Sequence, residues 1–366
     1  MRLLAPALAS ILASILALAC TELPTVGEVP EPTVEANAVE LGPLIVAHGG
    51  QGSPADRSDG PAAAVDRGLE QLGKDDDDPL AAAIAAIELL EDDPRFNAGT
   101  GANLRLDGRT IEADAAVMDD RERFGAVAGI SGVRHPSRVA EAVLATPHLF
   151  VAGAGAQAFA QTLGLEAREL ATEQARQKLA RAYGQLFAEE GPWASWDWRA
   201  HWNFEGEPPA DLADALARVA TPTELQDTEA TKDTVGVVVR TSAGRYAAAL
   251  STGGTTLAIR GRVGDVPILG AGLYAGPHGA VAATGKGEAI MRERVAAEVY
   301  RLLARGETPN DAIRLAIRDI TPEEGVGVIA VSERGFGAVA TSQMAWAARD
   351  GEASFTAQTW VQRRER

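Results

Sequence analysis

Four short clusters in the second half of the chain combine threonine or charged residues with glycine, and they are the best candidates for chemistry. They occupy residues 233–236 (DTVG), 251–254 (STGG), 261–265 (GRVGD) and 283–287 (ATGKG). Glycine permits the tight turns that a binding site needs. A threonine hydroxyl becomes a nucleophile only when a base removes its proton. Each cluster alone is better explained as a plain strand that ends at glycine.

In their order and spacing, the four clusters resemble the plant-type asparaginase and isoaspartyl peptidase family and its relatives, the glycosylasparaginases. The first half of the chain agrees, with HGG at 48–50, FNAGTG at 96–101, and the stretches 114–119 and 125–138. The resemblance covers roughly residues 44–166 and 234–320 and leaves a tryptophan-rich insertion unmatched. It implies an α/β fold of the N-terminal-nucleophile hydrolase type, a four-layer αββα sandwich.

The resemblance implies a precursor that cuts itself between Asp233 and Thr234, after which Thr234 is the nucleophile. Before the cut, the Thr234 nitrogen is an amide and has no basicity. Afterwards it is an amine with an unperturbed pKa of about 7.7–8.0, suited to act as the base at neutral pH. Most asparaginase-type members have glycine before the threonine, whereas Asp233 is typical of glycosylasparaginases.

The resemblance also assigns roles around this nucleophile. Thr252 is expected to orient Thr234, and Asn97 to support the nucleophile pocket. The substrate is expected to meet Arg262 through its α-carboxylate and Asp265 through its α-ammonium. The remaining expected site residues are an oxyanion hole of Thr284 and the Gly285 N–H, and Gly287, where the substrate approaches the backbone. No cofactor is expected for catalysis, and a backbone loop around residues 90–97 is expected to hold a structural sodium ion.

The expected reaction is acyl transfer on L-asparagine or β-aspartyl (isoaspartyl) peptides, through a β-aspartyl ester that water hydrolyses to L-aspartate. One alternative is a glycosylasparaginase, favoured by Asp233 and by AATG at 282–285 but opposed by TGG at 252–254 and by the 96–101 loop. Another alternative, of a different class, is a catalytically silent envelope lipoprotein that only binds ligands. A nucleotide-binding loop is disfavoured, because glycine follows Lys286 where a phosphate loop requires serine or threonine.

Composition limits the partners of this protein. The 366 residues include 46% hydrophobic and 23% charged residues, enough for a sizeable core. The formal net charge of -17 argues against nucleic acid as a partner. We therefore expect a small-molecule or dipeptide substrate. The resemblance implies a dimer of αβ heterodimers.

The first segment predicts export. Arg2 and an apolar run precede Cys20, the single cysteine, in the manner of a bacterial lipoprotein signal. We expect a signal peptide at 1–20, lipidation of Cys20 and a flexible tether at 21–40. The α subunit is then 41–233, with the insertion at about 170–232, and the β subunit 234–366. The location would be periplasmic or cell-envelope, with a membrane anchor. An ordinary cleaved signal peptide is the alternative.

Strands and helices must position these clusters. The patterns predict strands at 44–47, 235–239 and 246–250, with a tight turn at HGG. Asp78-Pro79 predicts a helix start, and residues 287–304 predict one long helix. Strands alternate with helices and no long repeat occurs, which is typical of a layered α/β protein.

Overall fold

The computed structural model describes residues 41–75, 78–165, 169–219, 234–321 and 323–357. The signal-type segment with Cys20, the tether and Asp233 lie outside the described residues. Export, lipidation and the cut before Thr234 therefore stay predictions.

The described residues form two β-sheets with α-helices packed against them, which confirms the prediction of an α/β protein. The strands are β1 (Leu44–Gln51), β2 (Ala113–Asp119), β3 (Phe124–Ile130), β4 (Phe150–Ala152), β5 (Val235–Arg240), β6 (Tyr246–Thr252), β7 (Leu273–Gly276), β8 (Gly279–Gly285), β9 (Val326–Ser332), β10 (Gly335–Ala340), β11 (Met344–Asp350) and β12 (Ala353–Thr356). The helices are α1 (Asp59–Leu72), α2 (Pro79–Asp92), α3 (Pro136–Val143), α4 (Gly153–Thr162), α5 (Glu173–Phe187), α6 (Leu212–Val219), α7 (Gly287–Glu293), α8 (Val295–Leu303) and α9 (Pro309–Ala316).

The larger sheet has the strand order β12-β11-β1-β5-β6-β2-β3-β4, and the smaller has the order β10-β9-β8-β7. Within the larger sheet, β5 lies antiparallel between β1 and β6. Val235, the first residue of β5, pairs with Ser251 near the end of β6. Because Thr234 precedes β5 and Thr252 ends β6, this register places the two threonines side by side at the same end of the two strands.

Alternation along the strands directs side chains into separate cores. Val237 joins a cluster with Ile84 and Ile87 of α2, on the helix-covered face of the larger sheet. Val238 joins a second cluster with Ile329 of β9, between the two sheets. A third cluster lies between the smaller sheet and helices α8 and α9. Both faces of each sheet are therefore buried, which makes the strands that carry the site rigid.

Local signals explain why α2 begins where it does. The Asp78 carboxylate accepts hydrogen bonds from the backbone N–H groups of Leu80 and Ala81, at 3.1 and 3.0 Å, and Pro79 is the first helical residue. This helix start confirms the prediction from Asp78-Pro79. Among the described residues, no helix combines the length and the apolar character needed to cross a bilayer.

Two local predictions were wrong. The single helix expected at 287–304 is two helices, because Arg294 adopts a left-handed conformation with φ 51° and interrupts the hydrogen-bond ladder. The HGG motif is not a turn after a strand, since β1 continues to Gln51. The strand instead carries an irregularity between His48 and Gln51, where Gly50 has φ 103°. A bulge of this kind re-aims side chains at the end of a strand.

Candidate active site

One cavity of about 760 Å³ collects most of the predicted site residues. Its lining includes Asn97, Thr234, Thr252, Arg262, Asp265, Gly285 and Gly287. Thr284 is completely buried and is not part of the lining, although its neighbour Gly285 is. Residues from both halves of the sequence therefore meet at one place, as a site for a small polar ligand requires.

Thr234 is held at the cavity by its neighbour on the adjacent strand. Its hydroxyl donates a hydrogen bond to the Thr252 hydroxyl, with the two oxygens 3.2 Å apart. The Thr252 oxygen also accepts from the Gly254 N–H at 3.1 Å, which fixes the Thr252 rotamer. The Thr234 side chain is buried, with 6% of the residue exposed. Its hydroxyl thus has one defined direction at the cavity wall.

Asn97 and Asn103 anchor the loop that follows Thr252. Both side-chain amides donate to the Gly254 carbonyl oxygen, each at 2.7 Å. The Asn97 side-chain oxygen accepts from the Asn103 N–H at 2.8 Å, and the Asn97 carbonyl accepts from the Gly253 N–H at 2.9 Å. Asn97 therefore fixes the loop that directly follows Thr252. Sequence reasoning missed Asn103, whose place six residues beyond Asn97 gives no signal of a shared partner.

A fully buried arginine supports the same loop from beneath. Arg105 is 0% exposed and lies 3.4 Å from the Glu112 carboxylate. It also donates to the carbonyl oxygens of Glu112 and Arg262, at 2.9 and 3.3 Å. Glu112 in turn accepts from the Gly261 N–H at 2.7 Å. A buried ion pair thus fixes the backbone on both sides of Arg262. Sequence reasoning missed this pair as well.

Arg262 presents its guanidinium at the cavity. Two of its nitrogens donate to one oxygen of Glu288, at 3.1 and 2.9 Å. A side chain on Gly264 or Gly287 would crowd this guanidinium, since a Cβ there would lie 3.0 Å from one of its nitrogens. Both glycines therefore leave room beside the guanidinium. Sequence reasoning missed Glu288, which follows the predicted Gly287 directly.

Asp265 is a buried carboxylate beside this guanidinium. It is 4% exposed, and burial raises its pKa to about 7, although the nearby charge of Arg262 acts in the opposite direction. Within the described part of the chain, its Oδ2 atom has no hydrogen-bond partner. A Cβ on Gly287 would lie 2.9 Å from Asp265 Oδ1. Arg262 and Asp265 together offer a cation and an anion on one wall, which is complementary to a zwitterionic α-amino acid.

Thr284 and Gly285 are the last residues of β8, and they lie close to the end of β1 in the other sheet. The Thr284 hydroxyl oxygen accepts from the Gln51 N–H at 3.1 Å, so the hydroxyl can direct its own hydrogen elsewhere. Gly285 has φ 133°, and a Cβ there would lie 2.1 Å from the Gly325 carbonyl oxygen. Only glycine fits at this position. The irregular end of β1 therefore fixes the Thr284 hydroxyl, a contact of Gln51 that the sequence did not reveal.

His48 lies beside β5, the strand that follows Thr234. It is 0% exposed and pairs with Gly236 of β5. A Cβ on Gly236 would lie 2.3 Å from the imidazole Nε2 atom. Burial lowers the pKa of His48 to about 3, against a smaller opposite effect of the Thr234 backbone. The ring is therefore neutral at neutral pH, and it packs against the strand that begins after Thr234.

Backbone carbonyl oxygens of the loop expected to hold sodium lie close to two glycines. A Cβ on Gly101 would lie 1.8 Å from the Phe96 carbonyl oxygen and 2.9 Å from that of Pro94. A Cβ on Gly99 would lie 2.5 Å from the Glu91 carbonyl oxygen. Neutral oxygens of this kind suit a hard cation. In the described residues, no group of three or more His, Cys, Asp or Glu side chains could hold a metal ion. Sodium stays a prediction.

Comparison with known proteins agrees with this geometry. A family model described as asparaginase matches residues 41–358. The chain belongs to the plant-type asparaginase family. It is 34% identical to a plant-type L-asparaginase of Pyrococcus abyssi over 302 residues, covering 80% of this chain and 90% of the relative. It is 33% identical to an isoaspartyl peptidase/L-asparaginase of Danio rerio over 318 residues, covering 84% and 92%. The family is one of N-terminal-nucleophile hydrolases, and its members need no cofactor for catalysis.

A third relative gives the same result. The chain is 34% identical to a probable isoaspartyl peptidase/L-asparaginase 2 of Arabidopsis thaliana over 310 residues, covering 80% of this chain and 90% of the relative. The family match extends beyond the two stretches that carry the resemblance in the sequence. The matched range includes the tryptophan-rich insertion and ends at residue 358.

Proposed function

We propose that this protein is an autoprocessed threonine amidohydrolase that hydrolyses L-asparagine and β-aspartyl peptides to release L-aspartate. The observation that carries the proposal is the common cavity of Thr234, Thr252, Arg262, Asp265 and Gly285. It combines a nucleophile, an amino-acid recognition pair and an oxyanion donor. The relatives named isoaspartyl peptidase/L-asparaginase support the same reaction.

The nucleophile requires a cut before Thr234. Attack of the Thr234 hydroxyl on the preceding carbonyl would convert the peptide bond to an ester, which water then hydrolyses. The new α-amine lies on the same residue as the hydroxyl and can take its proton. The hydrogen bond between the Thr234 and Thr252 hydroxyls, 3.2 Å long, supports this role because it orients the attacking oxygen.

The substrate is held by its amino-acid end. Its α-carboxylate lies against Arg262, sharing the guanidinium with Glu288, and its α-ammonium lies against Asp265. A substrate ammonium beside Asp265 would supply the positive partner that favours the ionised carboxylate. The absence of side chains at Gly264 and Gly287 supports this placement, because it leaves space above both charged groups.

The chemical step is acyl transfer in two halves. The Thr234 oxygen attacks the side-chain carbonyl carbon of the substrate while its proton moves to the α-amine. Thr284 and the Gly285 N–H stabilise the negative oxygen that forms. The C–N bond then breaks, the leaving amine takes the proton, and a β-aspartyl ester remains. Water attacks this ester, breaks its C–O bond and returns the hydroxyl to Thr234.

The test uses the full chain and a Thr234→Ala variant. Intact mass spectrometry should find two pieces, the second beginning at Thr234, in the unsubstituted protein and one piece in the variant. Assays with L-asparagine, a β-aspartyl dipeptide and N4-(β-N-acetylglucosaminyl)-L-asparagine should give aspartate from the first two. Aspartate from the third alone would replace this proposal with the glycosylasparaginase alternative. An active single piece would refute the mechanism, and an inactive single piece would favour the silent binding lipoprotein.

Assembly and location are further parts of the proposal. We propose a dimer of αβ heterodimers in the cell envelope, anchored through Cys20. The basic start, apolar run and cysteine of the first segment support the anchor. The same mass spectrum tests it, because lipidation at Cys20 adds acyl mass to the first piece, and hydrolysis of the peptide bond before Cys20 removes residues 1–19.

A further inference from the structure

The tryptophan-rich insertion contributes one helix face to the active-site cavity. Lys178, Arg181, Ala182 and Gln185 of α5 all line the cavity, and their spacing places them on one side of the helix. The opposite side is buried in a separate apolar cluster that contains Leu179 and Tyr183. This helix therefore has one face for the fold and one for the cavity.

A pair of tryptophans extends the same wall. Trp193 and Trp196 line the cavity, and their ring centroids are 5.9 Å apart at an angle of 48°. Both residues are partly buried, because they pack against the apolar cluster that contains Leu179 and Tyr183. Each therefore keeps part of its surface toward the cavity, where an apolar group can pack on it.

The insertion is fastened to the loop that carries Arg262. The Asn203 amide donates to the Arg260 carbonyl oxygen at 2.8 Å, and the Asn203 side-chain oxygen accepts from the Arg260 N–H at 3.0 Å. At α5, the Tyr183 hydroxyl donates to the Leu106 carbonyl oxygen at 2.6 Å. The cationic face and the tryptophan pair are therefore held in place relative to the amino-acid end of the site.

The cavity lining carries charges in two groups. Arg262, Asp265 and Glu288 meet at the amino-acid end. The face of α5 and the tryptophan pair form what we call the second end, where the lining includes two cations, Lys178 and Arg181. The volume of about 760 Å³ is within the range of pockets for drug-sized ligands, so L-asparagine would leave much of it unfilled. A ligand for the second end would combine an anion with an apolar group.

We propose that this second end is a leaving-group subsite for β-aspartyl dipeptides with an apolar C-terminal residue. Lys178 and Arg181 attract the C-terminal carboxylate, and Trp193 and Trp196 pack against the apolar side chain. This inference rests on the proposed function, because it assigns the part of the substrate that departs as an amine. A glycosylated asparagine has a neutral leaving group and would gain little from the two cations.

The test compares the specificity constants for β-aspartyl-phenylalanine and L-asparagine. In the Lys178→Met/Arg181→Met double variant, the specificity constant for the dipeptide divided by that for L-asparagine should fall about tenfold. Most of this change should be a higher KM for the dipeptide. Trp196→Ala should lower the same ratio severalfold. When the C-terminal carboxylate of the dipeptide is replaced by an amide, the specificity constant of the unsubstituted enzyme should fall about tenfold. That of the double variant should stay almost unchanged. Trp202→Ala, in the insertion but outside the lining, is the control for general damage.

Each outcome has one meaning. An equal loss on both substrates, an unchanged ratio, or an amide effect that persists in the double variant overturns the subsite. The subsite is also overturned if the unsubstituted enzyme prefers the glycosylated asparagine and if this preference is lost in Trp196→Ala but kept in the double variant. Hydrolysis of L-asparagine without any hydrolysis of the dipeptide refutes the subsite and leaves the asparaginase reaction intact. Hydrolysis of neither substrate refutes the proposed function itself.

Discussion

Asp265 should make the protein less stable as pH rises, and Asp265→Asn should remove this effect. Burial raises the pKa of Asp265 from 3.8 to about 7 in the folded protein, whereas the unfolded chain ionises near the lower value. Between these values the folded state keeps a proton that the unfolded state has lost. The free energy of unfolding therefore falls by about 1.4 kcal/mol for each pH unit in this window. Above pH 7 the loss is complete and constant.

The magnitude follows from the width of the window. The pKa rises by about three units, which corresponds to about 4 kcal/mol at pH 8. Asparagine resembles the protonated acid and does not titrate. We expect Asp265→Asn to match the parent near pH 4 and to exceed it by up to about 4 kcal/mol at pH 8. Its kcat/KM for L-asparagine should fall at least about tenfold, because the substrate ammonium loses a charged partner.

Urea unfolding at several pH values measures this difference. Both proteins should carry Thr234→Ala, so that each unfolds as one chain. Asp56→Asn removes an exposed carboxylate and serves as the control for the loss of one negative charge. A difference between Asp265→Asn and its parent that stays flat from pH 4 to pH 8 would refute the reasoning, because Asp265 would then ionise normally in the fold.

Four further substitutions test Thr252, the loops around the site and, as a control, helix α5. Thr252→Val should lower kcat for L-asparagine about tenfold or more with little change in KM, as steady-state kinetics would detect, because the nucleophile loses its hydrogen bond. Arg105→Met should reduce the free energy of unfolding by about 3–5 kcal/mol in urea titrations, since Glu112 would stay buried without its cation. Gly101→Ala should lower the melting temperature sharply, because the new methyl group would overlap the Phe96 carbonyl, 1.8 Å away. Gly184→Ala, where nothing lies within 4 Å, should raise it slightly.

The sequence predicted those parts of the site whose signals are local. The threonine–glycine clusters at the ends of β5, β6 and β8 lie where strand patterns place them, and their order along the chain carried the family resemblance. The start of α2 followed from Asp78 and Pro79 alone. These features depend on residues close together in the chain, so a single sequence contains the information.

Features that depend on distant packing were missed. The break between α7 and α8 occurs at Arg294, an arginine with φ 51°, and arginine is not a residue type that signals a left-handed conformation. Helix α1 begins with Asp59, Gly60 and Pro61. Glycine and proline together usually indicate a turn, although here both lie in the first turn of the helix. The tryptophan-rich insertion packs onto the scaffold. Its second contact, with the cavity, depends on a hydrogen-bonded approach to Arg260 that no local pattern encodes.

The strand order of the larger sheet determines how a cut enzyme would behave. β5, whose first residue follows the nucleophile, lies between β1 and β6, and β2 lies beyond β6. Strands from upstream of the cut (β1 and β2) therefore lie on both sides of a pair of strands from downstream of it (β5 and β6). Neither piece could leave without dismantling the sheet, so the halves need no covalent link to stay together. Folding must also come first, because separately synthesised halves would each have to build a sheet with gaps in it.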